Sequence, residues 1–316
     1  MNFLITAIGS FSAECVINSL KNEGHKVTGC DIYPAEWHYV SQLCNTVYKV
    51  PFATNETAYI DELIKISILE HITYIIPLTD LEIDIINKHR PSFEKHQITP
   101  LIQSEYCLSI ARNKLAIYNL FKDDPVVRVP HSIRANKVNS IFPIPAIAKP
   151  TNGRSSEGLV KIKDTKQLKS IIGNDNYLIQ KFIEGPIYTV DYVRDALDND
   201  FSIPREELLR TKNGAGTTIR ITPDSILQET VSHIGKKLGI IGCVNMEFIQ
   251  HDNSYYLIDI NPRFSAGVAF SKCIGYDMVI SHINAFFNKR INEEIKIKEQ
   301  IICKHYQETI LWTQDQ

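Results

Sequence analysis

Paired cysteines, a dominant charge sign and long apolar runs are all missing from this 316-residue chain, and each absence excludes a class of protein. The seven cysteines (Cys15, Cys30, Cys44, Cys107, Cys243, Cys273, Cys303) are odd in number, widely spaced and free of any Cys-x-x-Cys pair. They read as reduced, mostly core residues, and neither a disulfide framework nor a thiolate zinc site is expected. The ten histidines show no metal spacing either. Lys and Arg number 34 against 36 Asp and Glu, a net charge of −2, with the basic residues scattered. That leaves no electrostatic footprint for nucleic acid or an anionic membrane. No stretch approaches the roughly 20 apolar residues of a membrane span. The N-terminus enters directly into an apolar strand-like segment, Phe3 to Ile8, without a basic n-region, so a cytoplasmic protein is expected. Gly-x-Gly-x-x-Gly is absent as well: the turn Gly9, Ser10, Phe11, Ser12, Ala13 has one glycine where a dinucleotide fold needs three, although Asp31 ends the second strand.

An apolar share of 44% over this length is enough for two or three compact units. The first part alternates strand and helix: Phe3 to Ile8, Ala13 to Glu23, Lys26 to Asp31, then a helix over Tyr59 to Leu69 and a strand over Ile72 to Leu78. This pattern predicts a parallel, Rossmann-like sheet. Pro77, Thr79, Asp80 and Glu82 follow its third strand, where an open α/β sheet presents ligands. A helical stretch from Ser104 to Leu120 leads into a segment punctuated by Pro125, Pro130, Pro143 and Pro145. Strands are then expected over Ala146 to Lys149, Leu159 to Ile162, Leu178 to Ile183 and Ile187 to Arg194, a helix over Ser225 to Leu238 and another near Gly275 to Asn288. The tail from Ile295 to Leu311 can add an edge strand.

The stretch Asn245, Met246, Glu247, Phe248, Ile249 and, after His251 to Ser254, Tyr256 to Arg263 alternates polar and apolar residues on both arms of a hairpin. Folded symmetrically about Asn253, it sets Glu247 across from Asp259 and Asn245 across from Asn261, with Met246, Phe248, Ile258 and Ile260 turned to a core. Opposed side chains lie about 5 Å apart at Cβ, so the two carboxylates repel unless a cation lies between them. Carboxylate and amide oxygens are the ligands magnesium takes, beside phosphate oxygens of a substrate. Arg263, two positions on, can bring a cation to the same anionic ligand. A solvated hairpin edge with chance carboxylates is the plain alternative.

Upstream, Thr151 to Gly158 (Thr-Asn-Gly-Arg-Ser-Ser-Glu-Gly) joins two strands, and its small residues let backbone N–H groups approach phosphate. It is not a Walker loop, which needs Gly-Lys-Ser/Thr opening a helix. Lys149 ends the strand just before it.

Glu247 followed by Asp259, Asn261, Pro262 and Arg263 resembles the metal signature of the ATP-grasp superfamily, with Asp where the usual second residue is Glu. Ala148, Lys149, Pro150, Gly153, Ser155, Ser156 and Gly158 resemble that family's lysine and mobile glycine-rich loop, and Lys114 its earlier phosphate lysine. Gln180, Lys181, Phe182, Ile183 and Glu184 resemble the hinge that grips adenine with main-chain groups, with Lys181 and Ile187 where Glu is common. Arg205 and Arg220, in the segment from Pro204 through Arg210, Lys212, Gly214 and Gly216, resemble the family's Arg-containing loop.

The resemblance implies an α/β and α+β chain: a Rossmann-like domain over 1–105, then an ATP-grasp fold of two α+β subdomains over 106–182 and 183–316. It implies ATP and Mg2+, with Mn2+ able to substitute, and Glu247, Asp259 and Asn261 as metal ligands. The implied phosphate and nucleotide contacts are Lys114, Lys149, Gly153, Ser155, Ser156, Gly158 and Gln180 to Glu184, and the catalytic arginines Arg263, Arg205 and Arg220. The implied reaction joins a small-molecule carboxylate to an amine through an acyl phosphate, relatives being carbamoyl-phosphate synthase and D-alanine ligase; a homodimer is an admissible assembly. A non-catalytic nucleotide-binding subunit that keeps the fold is the alternative.

Overall fold

A computed structural model describes residues 1–138, 141–151 and 158–311. The early strands return through α-helices or, between β2 and β3, through two short 3-10 turns, and the first sheet is accordingly parallel. It is built from β1 (Asn2–Thr6), α1 (Ala13–Asn22), β2 (Lys26–Asp31), β3 (Thr46–Lys49), α2 (Glu56–Leu69), β4 (Tyr74–Ile76), α3 (Asp80–Lys88), α4 (Arg90–Glu94) and β5 (Thr99–Pro100), in the strand order β3-β2-β1-β4-β5. Phe3, Leu4 and Ile5 of β1 are wholly buried, with Phe3 and Ile5 packed toward α1 and Leu4 toward α2 and α3. The two short strands β3 and β5 carried too little periodicity to be read from the sequence. All seven cysteines are unpaired; four are buried, while Cys273 and Cys303 are exposed.

Glu82 lies beneath the carboxyl end of this sheet, buried, accepting hydrogen bonds from the Tyr59 hydroxyl at 2.8 Å and the Thr79 hydroxyl at 2.7 Å. Burial pushes its pKa above 4.5, and these bonds only partly offset that. A carboxyl whose folded pKa is raised contributes stability that is full below about 4.5 and lost as pH rises through the higher folded value. Glu82→Gln should therefore flatten the fall of Tm between acid and neutral pH. An unchanged slope in a thermal melt series would show that Glu82 ionises without penalty.

The helical stretch after β5 splits into α5 (Glu105–Ala111) and α6 (Lys114–Phe121) because Asn113 leaves the helix, extended, and its side chain accepts from the Leu115 and Ala116 amides at 3.0 and 3.1 Å. Such a cap is worth about 1 kcal/mol and fixes where Lys114 starts its helix. A four-stranded antiparallel sheet follows, made of β6 (Ser132–Arg134), β7 (Ala146–Pro150), β8 (Val160–Ile162) and β9 (Tyr177–Lys181) in the order β6-β9-β7-β8, with α7 (Thr165–Ile171) between β8 and β9. Ala146, Ala148, Ile162, Leu168 and Ile179 form its small core. By alternation, Ile147 and Lys149 point to the opposite face, level with Gln180 and Leu178 of β9.

The largest sheet is antiparallel: β10 (Ile187–Arg194), β11 (Asp200–Arg210), β12 (Gly216–Ile221), α8 (Ser225–Leu238), β13 (Gly242–His251), β14 (Ser254–Asn261), α9 (Val268–Cys273), α10 (Met278–Phe286) and β15 (Gln300–Cys303), in the order β14-β13-β10-β11-β12-β15. The expected tail strand is thus present as β15. The segment read as an Arg-containing loop is instead the hairpin β11–β12. Pro204 fits within it because its carbonyl, accepting from the Thr222 amide at 3.0 Å, faces the last rung beside β12, where no ladder donor is needed from it.

Even-numbered residues of the central strands (Tyr188, Val190, Tyr192, Val244, Met246, Phe248, Ile260) pack under α5, α6 and α8. So α5 and α6 belong to the core of the large sheet although they precede the small one in sequence. On the odd-numbered face, Val193, Ile203, Ile219 and Cys243 pack with α1, α9 and α10. The rest of that face is polar and open. Among the described residues no helix is long and apolar enough to cross a membrane.

Candidate active site

The open part of the odd-numbered face forms the floor of a cleft of about 970 Å³, closed at the side by Gly9–Ser12 after β1 and Leu78–Leu81 after β4. Register arranges the floor in rows. Arg205, Thr189, Glu247 and Asp259 stand side by side across β11, β10, β13 and β14, and Asp191, Asn245 and Asn261 form the next row. The β13–β14 turn is two residues, Asp252 and Asn253, with φ of 47° and 56°, as a type I′ hairpin requires. Glu247 faces Asp259 and Asn245 faces Asn261, as expected. A register shift after Glu247 pairs Phe248 with Leu257, so Leu257, not Ile258, joins the core. The bulge absorbs one residue between the turn and the carboxylate pair.

Each carboxylate of the pair has a cation of its own. Arg210 Nη2 donates to Glu247 Oε2 at 3.0 Å, and Lys114 Nζ to Asp259 at 3.2 Å. Burial raises the pKa of Glu247, Asp259 and Glu207 add to it by repulsion, and Arg210 opposes them. Lys149 faces the same group from the small sheet: burial lowers its pKa to about 8, with Lys114 repelling it and Asp259 and Glu247 attracting it. The Asn245 amide donates to the Arg263 carbonyl at 3.2 Å and accepts from Asn261 Nδ2 at 3.1 Å, which fixes the end of the Asn261 amide that carries its oxygen. Arg263 itself makes a two-pronged pair with Asp80, 2.9 and 3.0 Å, tying the large sheet to the parallel one. Arg112 approaches Asp80 at 3.7 Å, and these cations hold the Asp80 carboxyl low against its burial.

Two carboxylates and one oriented amide oxygen suit a hard divalent ion that completes its shell with substrate oxygens. Among the described residues no three His, Cys, Asp or Glu side chains gather into a metal cage.

Of the residues singled out from the sequence, Lys114, Lys149, Glu247, Asp259, Asn261 and Arg263 converge here. Gly153, Ser155 and Ser156 lie outside the described residues; Gly158 starts the return from that loop with φ of 72°. Gln180 to Glu184 carry the chain from the small sheet to the large one. Gln180 donates to the Ser132 hydroxyl at 2.8 Å, while the Lys181 and Phe182 amides donate to the His131 and Pro145 carbonyls at 2.8 and 3.2 Å. Gly185 ends this connection against strand β13, where a Cβ would fall 1.8 Å from the Gln250 carbonyl oxygen.

Arg205 is on the floor but wholly buried, donating to Asp191 at 2.7 Å, Ser265 at 3.1 Å and Glu207 at 3.3 Å. Arg220 does not join the others: it stands level with Glu206 on the opposite face of the sheet and pairs with it at 3.0 Å. Glu82 lies beneath the cleft, while Asp80 lines it. Arg210, Glu207 and Thr189 were missed: alternation along β11 sets Glu207 beside Arg205, whereas Arg210, of opposite parity, comes to the same cleft only past the register shifts between Glu207 and Arg210, which no sequence pattern marks.

The ATP-grasp domain description matches residues 111–267, and a PylC-like N-terminal domain matches residues 3–101. The chain belongs to the ATP-grasp superfamily. Among curated relatives, the carbamoyl phosphate synthase large chain of Thermoplasma volcanium is 22% identical over 84% of this chain, which spans only 28% of that relative's length. Tyramine–L-glutamate ligase of Methanocaldococcus jannaschii is 26% identical over 72% of this chain and 66% of its own. Among solved structures, the biotin carboxylase domain of Hydrogenobacter thermophilus 2-oxoglutarate carboxylase, a dimer with MgADP, superposes with a TM-score of 0.76 at 17% identity, covering 92% of this chain and 70% of that one. N5-carboxyaminoimidazole synthetase of Staphylococcus aureus with ADP gives 0.74 at 16% identity, over 95% and 81%. At such identities the likeness is one of fold.

Proposed function

We propose that this ATP-grasp protein is an ADP-forming ligase that joins a small-molecule carboxylate to an amine. The observation that carries this reading is the carboxylate pair Glu247 and Asp259, in register on one face, with Lys114 at the start of α6 paired to Asp259 and Lys149 directed at the pair from the small sheet. The ligases among the relatives support the same class of chemistry.

In this reading ATP lies between the two sheets. Adenine meets the main chain of the hinge beyond Phe182, since the amides of Lys181 and Phe182 are already bonded within the protein. Lys149 and Lys114 turn to the phosphates, exchanging the weak attraction of the carboxylates for charge-assisted bonds. Mg2+, held by Glu247, Asp259 and the Asn261 oxygen, would supply neutralisation of the phosphate oxygens. Arg263, kept in place by Asp80, faces the charge that develops on the transferred group. A carboxylate oxygen of the substrate attacks the γ-phosphorus as the bond to ADP breaks, and the acyl phosphate then loses phosphate as the amine nitrogen bonds to the acyl carbon and releases a proton. Positioning and charge do the catalysis, so no protein nucleophile is required.

Purified protein should release ADP only when a carboxylate and an amine are both present with MgATP. Nucleotide binding without ADP on a broad panel of such pairs would replace this reading with that of a non-catalytic nucleotide-binding subunit.

A further inference from the structure

We propose that the end of the cleft beyond Glu247 takes a zwitterionic amino acid as the amine substrate, its amino group against Glu207 and its carboxylate against Lys304. The proposal rests on the ligase reading above and names the class of its second substrate.

Glu207 stands on the cleft floor, with 3% of its side chain exposed. One oxygen, Oε1, accepts from Arg205 Nε at 3.3 Å; the other, Oε2, is buried and has no hydrogen-bond partner among the described residues. A bare buried carboxylate oxygen costs on the order of 1–3 kcal/mol, and more when charged, so it is a position that a donor from outside would stabilise. The carboxylate itself fits because residue 216, also on the cleft wall, is glycine: a Cβ there would fall 1.8 Å from Oε2. Glu207 is near enough to Glu247 to raise its pKa, which puts an amine bound at Glu207 beside the group that would carry the phosphates.

The complementary cation arrives from far along the chain. Strand β15 pairs with the edge of the large sheet, and the Lys304 amide extends that ladder by donating to the Thr217 carbonyl at 2.8 Å. Its side chain then crosses to the cleft wall: Nζ donates to the Ala266 carbonyl at 2.7 Å and lies 4.6 Å from the Phe11 ring centre and 5.6 Å from that of Phe270. Ala266 and Phe11 both line the cleft. Burial lowers the pKa of Lys304, the nearby Arg205 lowers it further, and Glu207 pulls it back up. Among the described residues the direct partners of the ammonium are this carbonyl and the two rings, none of them an anion, and a substrate carboxylate would provide one. Gly9–Ser12, the turn that opens α1, lines the same end; the Ser12 side chain makes no cap bond there, so the positive end of that ten-residue helix adds to the attraction. Arg205 is already occupied by Asp191, Glu207 and Ser265, and it positions Glu207 instead of meeting the ligand.

The test uses the full chain loaded with Mg2+ and a non-hydrolysable ATP analogue, titrated calorimetrically with the common amino acids, L and D, and with their decarboxylated amines, such as cadaverine beside lysine and tyramine beside tyrosine. At least one amino acid should bind, and its decarboxylated counterpart should bind roughly 10- to 100-fold more weakly, the loss expected for one charge-assisted hydrogen bond. Lys304→Gln should remove that preference, and Glu207→Gln should weaken amino acid and amine alike; analogue binding by each variant serves as the check that it is folded. Analogue binding by the wild-type protein with no amino acid bound, equal affinity for amino acids and their amines, or an undiminished preference in Lys304→Gln would each overturn the proposal. Failure of the analogue itself to bind would remove the ligase reading and this proposal with it.

Discussion

Glu247→Ala is expected to lose roughly 10²- to 10³-fold or more in ADP formation, the scale of removing one preorganised electrostatic contact to the reacting group, without loss of fold. The pKa of Glu247 is raised by burial and by repulsion from Asp259 and Glu207, with Arg210 as the opposing attraction. A carboxyl so perturbed loses stabilising value as pH rises through its folded pKa. Its removal should therefore leave the Tm at neutral pH unchanged or higher. Asp259→Ala should match it in lost turnover but not in stability, because it removes the ion pair with Lys114 at 3.2 Å and the attraction that offsets the burial of Lys149. Glu247→Ala separates a metal site from a structural ion pair: a purely structural role would lower its Tm in step with activity. An ADP assay over a Mg2+ titration, read beside thermal melts, measures both. Full turnover in both variants would sink the metal assignment.

The carboxylate pair was legible because an antiparallel hairpin has simple arithmetic: opposed residues have a constant sum and side chains alternate with period two. The same arithmetic failed one step later, at Ile258, because a bulge is not written in the hydrophobic pattern. Asn113, between Arg112 and Lys114, lay inside the helical stretch from Ser104 to Leu120, so one helix was expected where its side chain caps a second. The hairpin β11–β12 was hidden by Pro204 and by a tip rich in Lys, Asn and Gly, features that ordinarily mark loops. With the strand unread, the alternation of Arg205 and Glu207 with Arg220 on the other face was invisible, and three similar arginines could not be sorted into buried anchor, cleft residue (Arg210) and outward-facing partner of Glu206. Lys304 is a harder case. It reaches Ala266, 38 positions earlier, through an edge strand whose partner could not be named from sequence, and no local pattern encodes such a contact.

Lys149 combines a pKa lowered to about 8 with a place in the proposed nucleotide site, and its replacement should trade stability against binding. Burial among Lys114 and the small-sheet residues lowers its pKa from 10.5 to about 8, and the attraction of Asp259 and Glu247 does not make this good. A lysine with a depressed folded pKa destabilises the native state fully below about 8, and the penalty is relieved as pH climbs from there toward 10.5. Lys149→Met should accordingly raise Tm near neutral pH, and the gap to wild type should close at alkaline pH. Nucleotide binding should move the opposite way, falling roughly 10- to 100-fold for loss of one charged hydrogen bond to phosphate. Because part of the Lys149 population is neutral at and above pH 8 in the free protein, wild-type binding of an ATP analogue there should draw in protons, detected as a dependence of the calorimetric enthalpy on the buffer's ionisation heat. Lys149→Arg stays charged and should abolish that uptake. Proton uptake that persists in Lys149→Arg would place the titrating group elsewhere, and a lower Tm in Lys149→Met would mean that its attraction to Asp259 and Glu247 outweighs the cost of burying its charge.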